Sequence, residues 1–122
     1  MELGKVSEKD WISCGGNFTT GDVIRWTEAI WPETRRKRKK KVMPLGEHRA
    51  TAEVLELDSR DYVRLSVIKD EIVKNPHGMP LKLLKKGEII AKKRATIARG
   101  KAERLRWTDE TVRAIEVSKF LS

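Results

Sequence analysis

Two runs of alternating apolar and polar residues, separated by four polar residues, constrain the fold of this chain most strongly. The runs cover residues 48–57 and 62–68, with Asp58-Ser59-Arg60-Asp61 between them. A period of two places alternate side chains on opposite faces of a β-strand. Four polar residues make a turn of hairpin length. The sequence therefore predicts an antiparallel hairpin centred on residues 58–61, with Tyr62 and Val63 on opposite faces.

An earlier strand is predicted at residues 23–31, which are rich in β-branched and aromatic side chains. Alternation places Trp26 on the apolar face of this strand and Trp31 on the other face. Glu28 interrupts the apolar face, which predicts a bulge or the end of the strand near it. Residues 69–73 fit either a short strand or a helical turn.

From residue 21 to residue 73 the arrangement resembles a small SH3-like β-barrel. Such barrels often open with Gly-Asp before an apolar strand, as Gly21-Asp22-Val23-Ile24 does here. A long loop, a tight hairpin and a short final strand then follow. The resemblance implies a small, five-stranded, barrel-like core. Because SH3-like barrels bind RNA, DNA or peptides and also occur in toxins, the resemblance does not select a function.

The chain has 122 residues, which is enough for one domain. We expect three parts: an N-terminal leader at 1–17, a β-barrel-like core at 18–74 with a basic loop at 35–41, and a basic C-terminal arm at 75–122. The arm ends in a helix that Thr108 can cap. Within the arm, residues 88–99 fit helical spacing or strand alternation, and we expect helix or irregular structure there. The predicted fold class is mainly β with a C-terminal helix (α+β).

Positive charge is strongly segregated along the chain. Lys and Arg number 27 against 18 Asp and Glu, so the formal net charge is +9. Residues 82–106 carry ten cations and two acidic groups. Seven further cations form the uninterrupted run Arg35, Arg36, Lys37, Arg38, Lys39, Lys40 and Lys41. Like charges collected in blocks indicate an anionic partner. Because adjacent cations repel one another, the run is expected to be a poorly ordered loop.

The two basic blocks predict a non-catalytic nucleic-acid-binding protein that grips the phosphate backbone. Cations within reach of a polyanion displace its condensed counterions, so the affinity depends on salt. The predicted contacts are the seven cations of the run together with Lys92, Lys93, Arg94, Arg99 and Lys101. Trp31, beside the run, is the predicted site for stacking on an unpaired base, and Tyr62 is a second one. The alternative partner is an acidic protein. DNA or RNA, single or double strand, and the oligomeric state stay open.

The sequence offers little for catalysis or metal binding. Two histidines and one cysteine cannot form a four-ligand Cys/His cluster. No zinc-protease, P-loop or serine-hydrolase motif is present. The acid–base group that the residues allow consists of Glu47, His48, Arg49 and Glu53. We therefore expect no enzyme, no metal and no cofactor. Without an apolar leader or a long apolar run, we expect a cytoplasmic protein, or a nuclear one in a eukaryote, that does not bind membranes.

Overall fold

The computed structural model describes residues 8–32, 43–58, 60–108 and 110–121 of the chain. The strands are β1 (Trp11–Ser13), β2 (Val23–Ile30), β3 (Gly46–Leu57), β4 (Tyr62–Lys74), β5 (Ile89–Lys93) and β6 (Glu103–Leu105). A 3-10 turn lies at Glu8–Asp10, and the two α-helices are α1 (Arg94–Arg99) and α2 (Glu110–Leu121). The fold is mainly antiparallel β with two short helices. Within the described residues, no helix has both the length and the apolar character needed to cross a membrane.

Within the described residues, the six strands form one antiparallel sheet in the order β1-β6-β2-β3-β4-β5. β1 and β5 are its two edges, and no described pair joins them, so the sheet is open. β1 comes from the predicted leader, whereas β5 and β6 come from the predicted arm. Strands from outside residues 18–74 therefore complete the sheet. The closed SH3-like barrel stays a prediction.

The predicted hairpin is present, because β3 and β4 pair antiparallel on either side of the turn. The N–H of Asp58 donates to the carbonyl oxygen of Tyr62 at 2.8 Å. Asp61 has a φ of 70°, a left-handed conformation that Asp tolerates better than most residues. β4 continues to Lys74, so residues 69–73 are strand and not a helical turn. The extension pairs with the start of β3, where Arg49 contacts Glu71 at 2.9 Å.

The structure decides between the alternatives predicted for two segments. β2 pairs with β3 in unbroken register through Glu28, so there is no bulge at this position, and the strand ends two residues later at Ile30. The carboxylate of Glu28 accepts a hydrogen bond from Trp26 Nε1 at 2.6 Å and lies 3.0 Å from Lys92 Nζ. Residues 88–99 divide into β5 and α1, so the strand alternation holds for the first half and the helix for the second. The edge of β4 supplies the pairing partner for β5, with Leu65 opposite Ile90.

The core lies between one face of the sheet and α1. Trp26 is the largest fully buried side chain. The other buried apolar residues of this cluster are Phe18, Ile24, Ala50, Ala52, Val54, Val63, Leu65, Ile97 and Ala102. Most of them alternate along β2, β3 and β4, as period-two patterning requires. Ile97 brings α1 against this face, which holds the segment between β5 and β6 close to β2.

A fully buried carboxylate holds the C-terminal segment to the sheet. Asp22 precedes β2 and is 0% exposed. It accepts hydrogen bonds from the backbone N–H of Thr19 at 2.8 Å and from Trp107 Nε1 at 2.6 Å. Arg113 of α2 donates to both of its oxygens, each at 2.9 Å. Because a buried charge needs compensating partners, this cluster fixes the start of α2.

Candidate nucleic-acid interface

Two adjoining cavities lie on the face of β2 and β3 that points away from the core. They have volumes of about 440 and 340 Å³, and both are lined by Thr27, Arg49 and Lys101. We call the pair the basic groove. Its charged lining residues are Arg25, Glu47, Arg49, Lys74, Arg99, Lys101 and Glu103. Five cations and two carboxylates therefore line this groove.

Strand register brings one wall of the groove together. Thr27 of β2 lies directly opposite Arg49 of β3. Thr27 follows the core residue Trp26, and Arg49 precedes the core residue Ala50. Because side chains alternate along a strand, both point toward the outer face. Arg49 then meets Glu71 of β4 at 2.9 Å.

A close backbone contact supplies the other wall. The N–H of Thr27 donates to the carbonyl oxygen of Gly100 at 2.9 Å. A Cβ atom at Gly100 would collide with the carbonyl oxygen of Thr27, so only glycine fits there without a shift. Lys101 follows with a φ of 56°, which turns the chain back toward β6. Arg99 and Lys101 are thereby held at the rim of the groove.

The five cations of the groove differ in how far they are neutralised. Arg25 lies 2.6 Å from Glu8 and 2.8 Å from Glu103. Lys74 lies 3.4 Å from Glu47. Arg49 lies 2.9 Å from Glu71. Arg99 and Lys101 are both exposed, and neither has an ion-pair partner within the described part of the chain. These two side chains therefore carry the unneutralised charge of the groove.

Arg25 has a structural role in this wall. The hydrogen bonds that Arg25 donates to the Glu8 carboxylate raise the pKa of the guanidinium, and the same bonds lower the pKa of the Glu8 carboxyl. The guanidinium also lies over the ring of Trp11, 4.3 Å from its centroid. Arg25 thus ties the N-terminal turn and β1 to β2, and it offers little free charge to a ligand.

The strand ends that flank the seven-cation run lie at one end of the groove. β2 ends at Ile30, β3 begins at Gly46, and the N–H of Leu45 donates to the carbonyl oxygen of Ile30 at 2.7 Å. The Thr27–Arg49 pair lies three residue pairs earlier, which is about 10 Å along the strand. The predicted contacts Arg35, Arg36, Lys37, Arg38, Lys39, Lys40 and Lys41 lie outside the described residues, as does their expected loop.

The second block of predicted contacts is divided between two environments. Arg99 and Lys101 lie in the groove. Lys92 pairs with Glu28 at 3.0 Å, and Lys93 Nζ lies 5.9 Å from the centroid of the Tyr62 ring. Arg94 stacks over Phe18 at 4.8 Å, donates to the carbonyl oxygen of Gly16, and has Nε 3.3 Å from Asp61. The charges of Lys92 and Arg94 are therefore compensated by carboxylates of the protein itself.

Sequence reasoning did not select Arg49 and Lys74, which belong to the groove, as nucleic-acid contacts. Arg49 lies within residues 42–73, a segment with a net negative charge, and Lys74 directly follows that segment. Alternation would have placed Arg49 on the outer face, beside Thr27 in a hairpin. Nothing local indicates that Lys101 lies across from it, because that contact depends on the position of Gly100.

The residues named for acid–base chemistry do not converge. Nδ1 of His48 lies 2.7 Å from Asp70, whose other oxygen accepts the N–H of Leu84 at 3.0 Å. Glu47 pairs with Lys74 on the opposite face. Burial raises the pKa of the Cys14 thiol to about 11, so the thiolate is scarce at neutral pH. Among the described residues, no group of three or more His, Cys, Asp or Glu is placed to hold a metal ion.

Comparisons of this chain with protein-family models, with curated proteins and with solved structures find no match.

Proposed function

We propose that this protein binds nucleic acid through the phosphate backbone, with the basic groove as one contact and the run 35–41 as a second. The observation that carries the proposal is the position of Arg99 and Lys101. Both are exposed, both lack an ion-pair partner in the described chain, and both face the groove that also holds Arg49 and Lys74. A phosphate there gains charge-assisted hydrogen bonds with little competition from carboxylates.

The partly neutralised cations of the groove support the same function. The pair of Lys74 and Glu47 is 3.4 Å long, and the Lys74 side chain is largely exposed. An exposed ion pair of this kind contributes about 0–1 kcal/mol, so Lys74 can exchange its carboxylate for a phosphate at small cost. Arg49 is less exposed, at 34% of its side chain, and its partner Glu71 is 41% exposed. Two to four cations of the groove are thus available to a polyanion.

The run 35–41 extends this surface. The ends of β2 and β3 that flank it lie about 10 Å from the centre of the groove. The connection between these two strand ends carries seven cations in sequence. This arrangement fits a long polyanion better than a single small anion, because condensed counterions are released along its whole length.

We also propose that β2 to β6 form an SH3-like barrel that carries this surface. The short final strand β6 pairs with the first strand of the core, with Ile24 opposite Arg104. The ion pair of Glu28 with Lys92 links β2 to β5, although two strands lie between them in the sheet. The ion pair across two intervening strands fits a curved sheet, in which the C-terminal segment supplies Arg99 and Lys101 as the basic arm.

The test measures binding of fluorescent, random-sequence DNA by anisotropy across a salt series. The groove variant is Arg99→Gln/Lys101→Gln, and the matched control is Lys82→Gln/Lys86→Gln, which removes the same charge from exposed lysines outside the groove. If both groove cations contact duplex phosphates, the log–log salt slope of the groove variant shrinks by about 1.8, that is about 0.9 per contact. The control slope stays near the wild-type value.

Two results would contradict the proposal. One is a wild-type protein that binds no nucleic acid even at low salt. The other is an equal loss of slope in the groove variant and its control, because net charge alone would then explain the binding. Selective binding of an acidic polypeptide such as polyglutamate, with no binding of nucleic acid, would assign the groove to an acidic protein partner.

A further inference from the structure

Exposed apolar side chains lie at the end of the basic groove from which the run departs. Trp31 follows β2 by one residue and is 44% exposed. Met43, shortly before β3, and Val73, near the end of β4, are also exposed. Val73 lines the smaller cavity of the groove itself. The surface therefore combines cations with an aromatic and two aliphatic side chains, which a site for phosphates alone does not require.

Strand geometry relates Trp31 to the groove. Residues 25, 27, 29 and 31 alternate with Trp26 of the core, so period two assigns Trp31 to the face that holds Arg25 and Thr27. Trp31 lies four positions after Thr27, which is about 13 Å along an extended chain. A bound strand that contacts both the groove at Thr27 and the indole of Trp31 therefore spans about 13 Å.

Each cavity of the groove has room for a small organic group. Its cavities, of about 340 and 440 Å³, lie within the range of pockets that take a small organic group, roughly 300–1,000 Å³. Arg99 and Lys101 line the smaller cavity together with Val73. A backbone phosphate can meet these cations while its sugar or base contacts the valine side chain.

The aromatic side chain distinguishes single strands from duplexes. Bases of a duplex are stacked on one another and paired, so an indole beside the backbone gains nothing from them. An unpaired base can leave the stack and lie on an aromatic ring, and this stacking does not depend on base identity. Trp31 contributes to binding only if the nucleic acid near the groove is unpaired.

We infer that this face binds single-stranded nucleic acid, with phosphates over Arg49, Arg99 and Lys101 and a base stacked on Trp31. The inference rests on the proposed function and adds the strandedness of the ligand and the role of the tryptophan. It predicts that the loss of the indole and the loss of the cations have different signatures. Loss of the indole lowers the affinity for single strands without changing the salt slope, whereas loss of the cations reduces the salt slope.

The experiment compares Trp31→Ala, Trp31→Phe and Ile89→Ala with the wild-type protein. Ile89 is 50% exposed, similar to Trp31, but it lies at the start of β5 and lines neither cavity of the groove. The probes are a labelled random 12-nucleotide single strand, as DNA and as RNA, and the corresponding DNA duplex. Thermal unfolding by circular dichroism shows whether each variant is folded.

We expect Trp31→Ala to weaken single-strand binding by roughly 5- to 150-fold, the loss of one stacked base. The affinity for the duplex stays within about twofold of wild type. The salt slopes for the single strand and for the duplex stay within about 0.5 of wild type, because no phosphate contact changes. Trp31→Phe keeps most of the affinity because it keeps an aromatic face, and Ile89→Ala resembles wild type.

The outcomes separate the inference from the proposed function. If Trp31→Ala binds single strands as tightly as wild type while Arg99→Gln/Lys101→Gln still loses slope, stacking is wrong and phosphate binding stands. An equal loss of single-strand and duplex affinity, with Trp31→Phe equally weak, overturns the choice of a single strand. A wild-type protein that binds neither probe overturns the proposed function itself.

Discussion

The backbone N–H of Thr27 donates to the carbonyl oxygen of Gly100 at 2.9 Å, so the turn after α1 lies directly against β2. Residue 100 has no room for a Cβ atom because the carbonyl oxygen of Thr27 occupies that position. Arg99 and Lys101 flank this contact on either side. Their place at the rim of the basic groove therefore depends on a single close approach between two backbones.

Substitution Gly100→Ala should affect stability and binding together. Steric overlap with β2 forces the turn away, at a cost of roughly 1–3 kcal/mol in the free energy of unfolding. Displacement of Arg99 and Lys101 should also reduce the salt slope for DNA. Urea unfolding and anisotropy measure the two effects. Gly16→Ala is the control, because its added Cβ would lie 3.4 Å from the flexible Arg94 side chain; an equal loss in both variants would contradict the argument.

Removal of cations from the run should weaken binding for all sequences alike. The triple variant Arg36→Ala/Arg38→Ala/Lys40→Ala removes up to three phosphate contacts. The slope for duplex DNA should shrink by roughly 2 to 3, and the loss should not depend on sequence because phosphates carry no base information. Salt titrations with two unrelated duplexes test both statements. An unchanged slope would leave the groove as the sole phosphate contact.

Asp22→Asn should destabilise the fold strongly. The substitution removes the charge that faces Arg113, whose side chain is largely buried, and it also weakens the acceptor of Trp107 Nε1. Breaking one member of a buried ion pair costs about 3–5 kcal/mol, which urea unfolding measures. Glu56→Gln is the control, since its pair with Arg64 is exposed and 3.4 Å long, and its loss should stay below about 0.5 kcal/mol. Similar losses in the two variants would show that the Asp22 cluster does not anchor α2.

The salt bridge of Glu110 predicts a loss of stability in acid. Hydrogen bonds from Arg104, and from the backbone of Trp107, lower the pKa of the Glu110 carboxyl from 4.5 to about 2. Since the folded pKa lies below the unfolded one, the contribution is complete above about pH 4.5 and disappears as the pH falls toward 2. The side chain is 42% exposed, so solvent screening keeps the effect small.

Melting temperatures of wild type and Glu110→Gln between pH 2 and pH 6 should reveal this contribution. The two curves should lie apart at pH 6 and converge toward pH 2, because protonated Glu110 no longer pairs with Arg104. Curves that stay parallel through this interval would show that the carboxylate does not stabilise the fold.

Local patterns predicted the parts of the fold that depend on nearest neighbours. Alternation on both sides of Asp58 and Asp61 determines the hairpin, because period two and a polar turn leave one pairing that buries a whole face. The same alternation fails to resolve residues 88–99, since short apolar runs fit either period. No bulge occurs at Glu28, and its carboxylate pairs with Lys92, a residue distant in sequence that local spacing does not reveal.

By itself the sequence determined the charge of this protein, the run of seven cations, the hairpin and the two faces of β2. These follow from composition and from spacing over a few residues. Only the tertiary structure decided which cations are free. Lys92 and Arg94 meet Glu28 and Asp61, whereas Arg99 and Lys101 reach the groove through Gly100. The physical reason is that neutralisation acts over a few ångströms of space, and the chain brings its carboxylates there from distant strands.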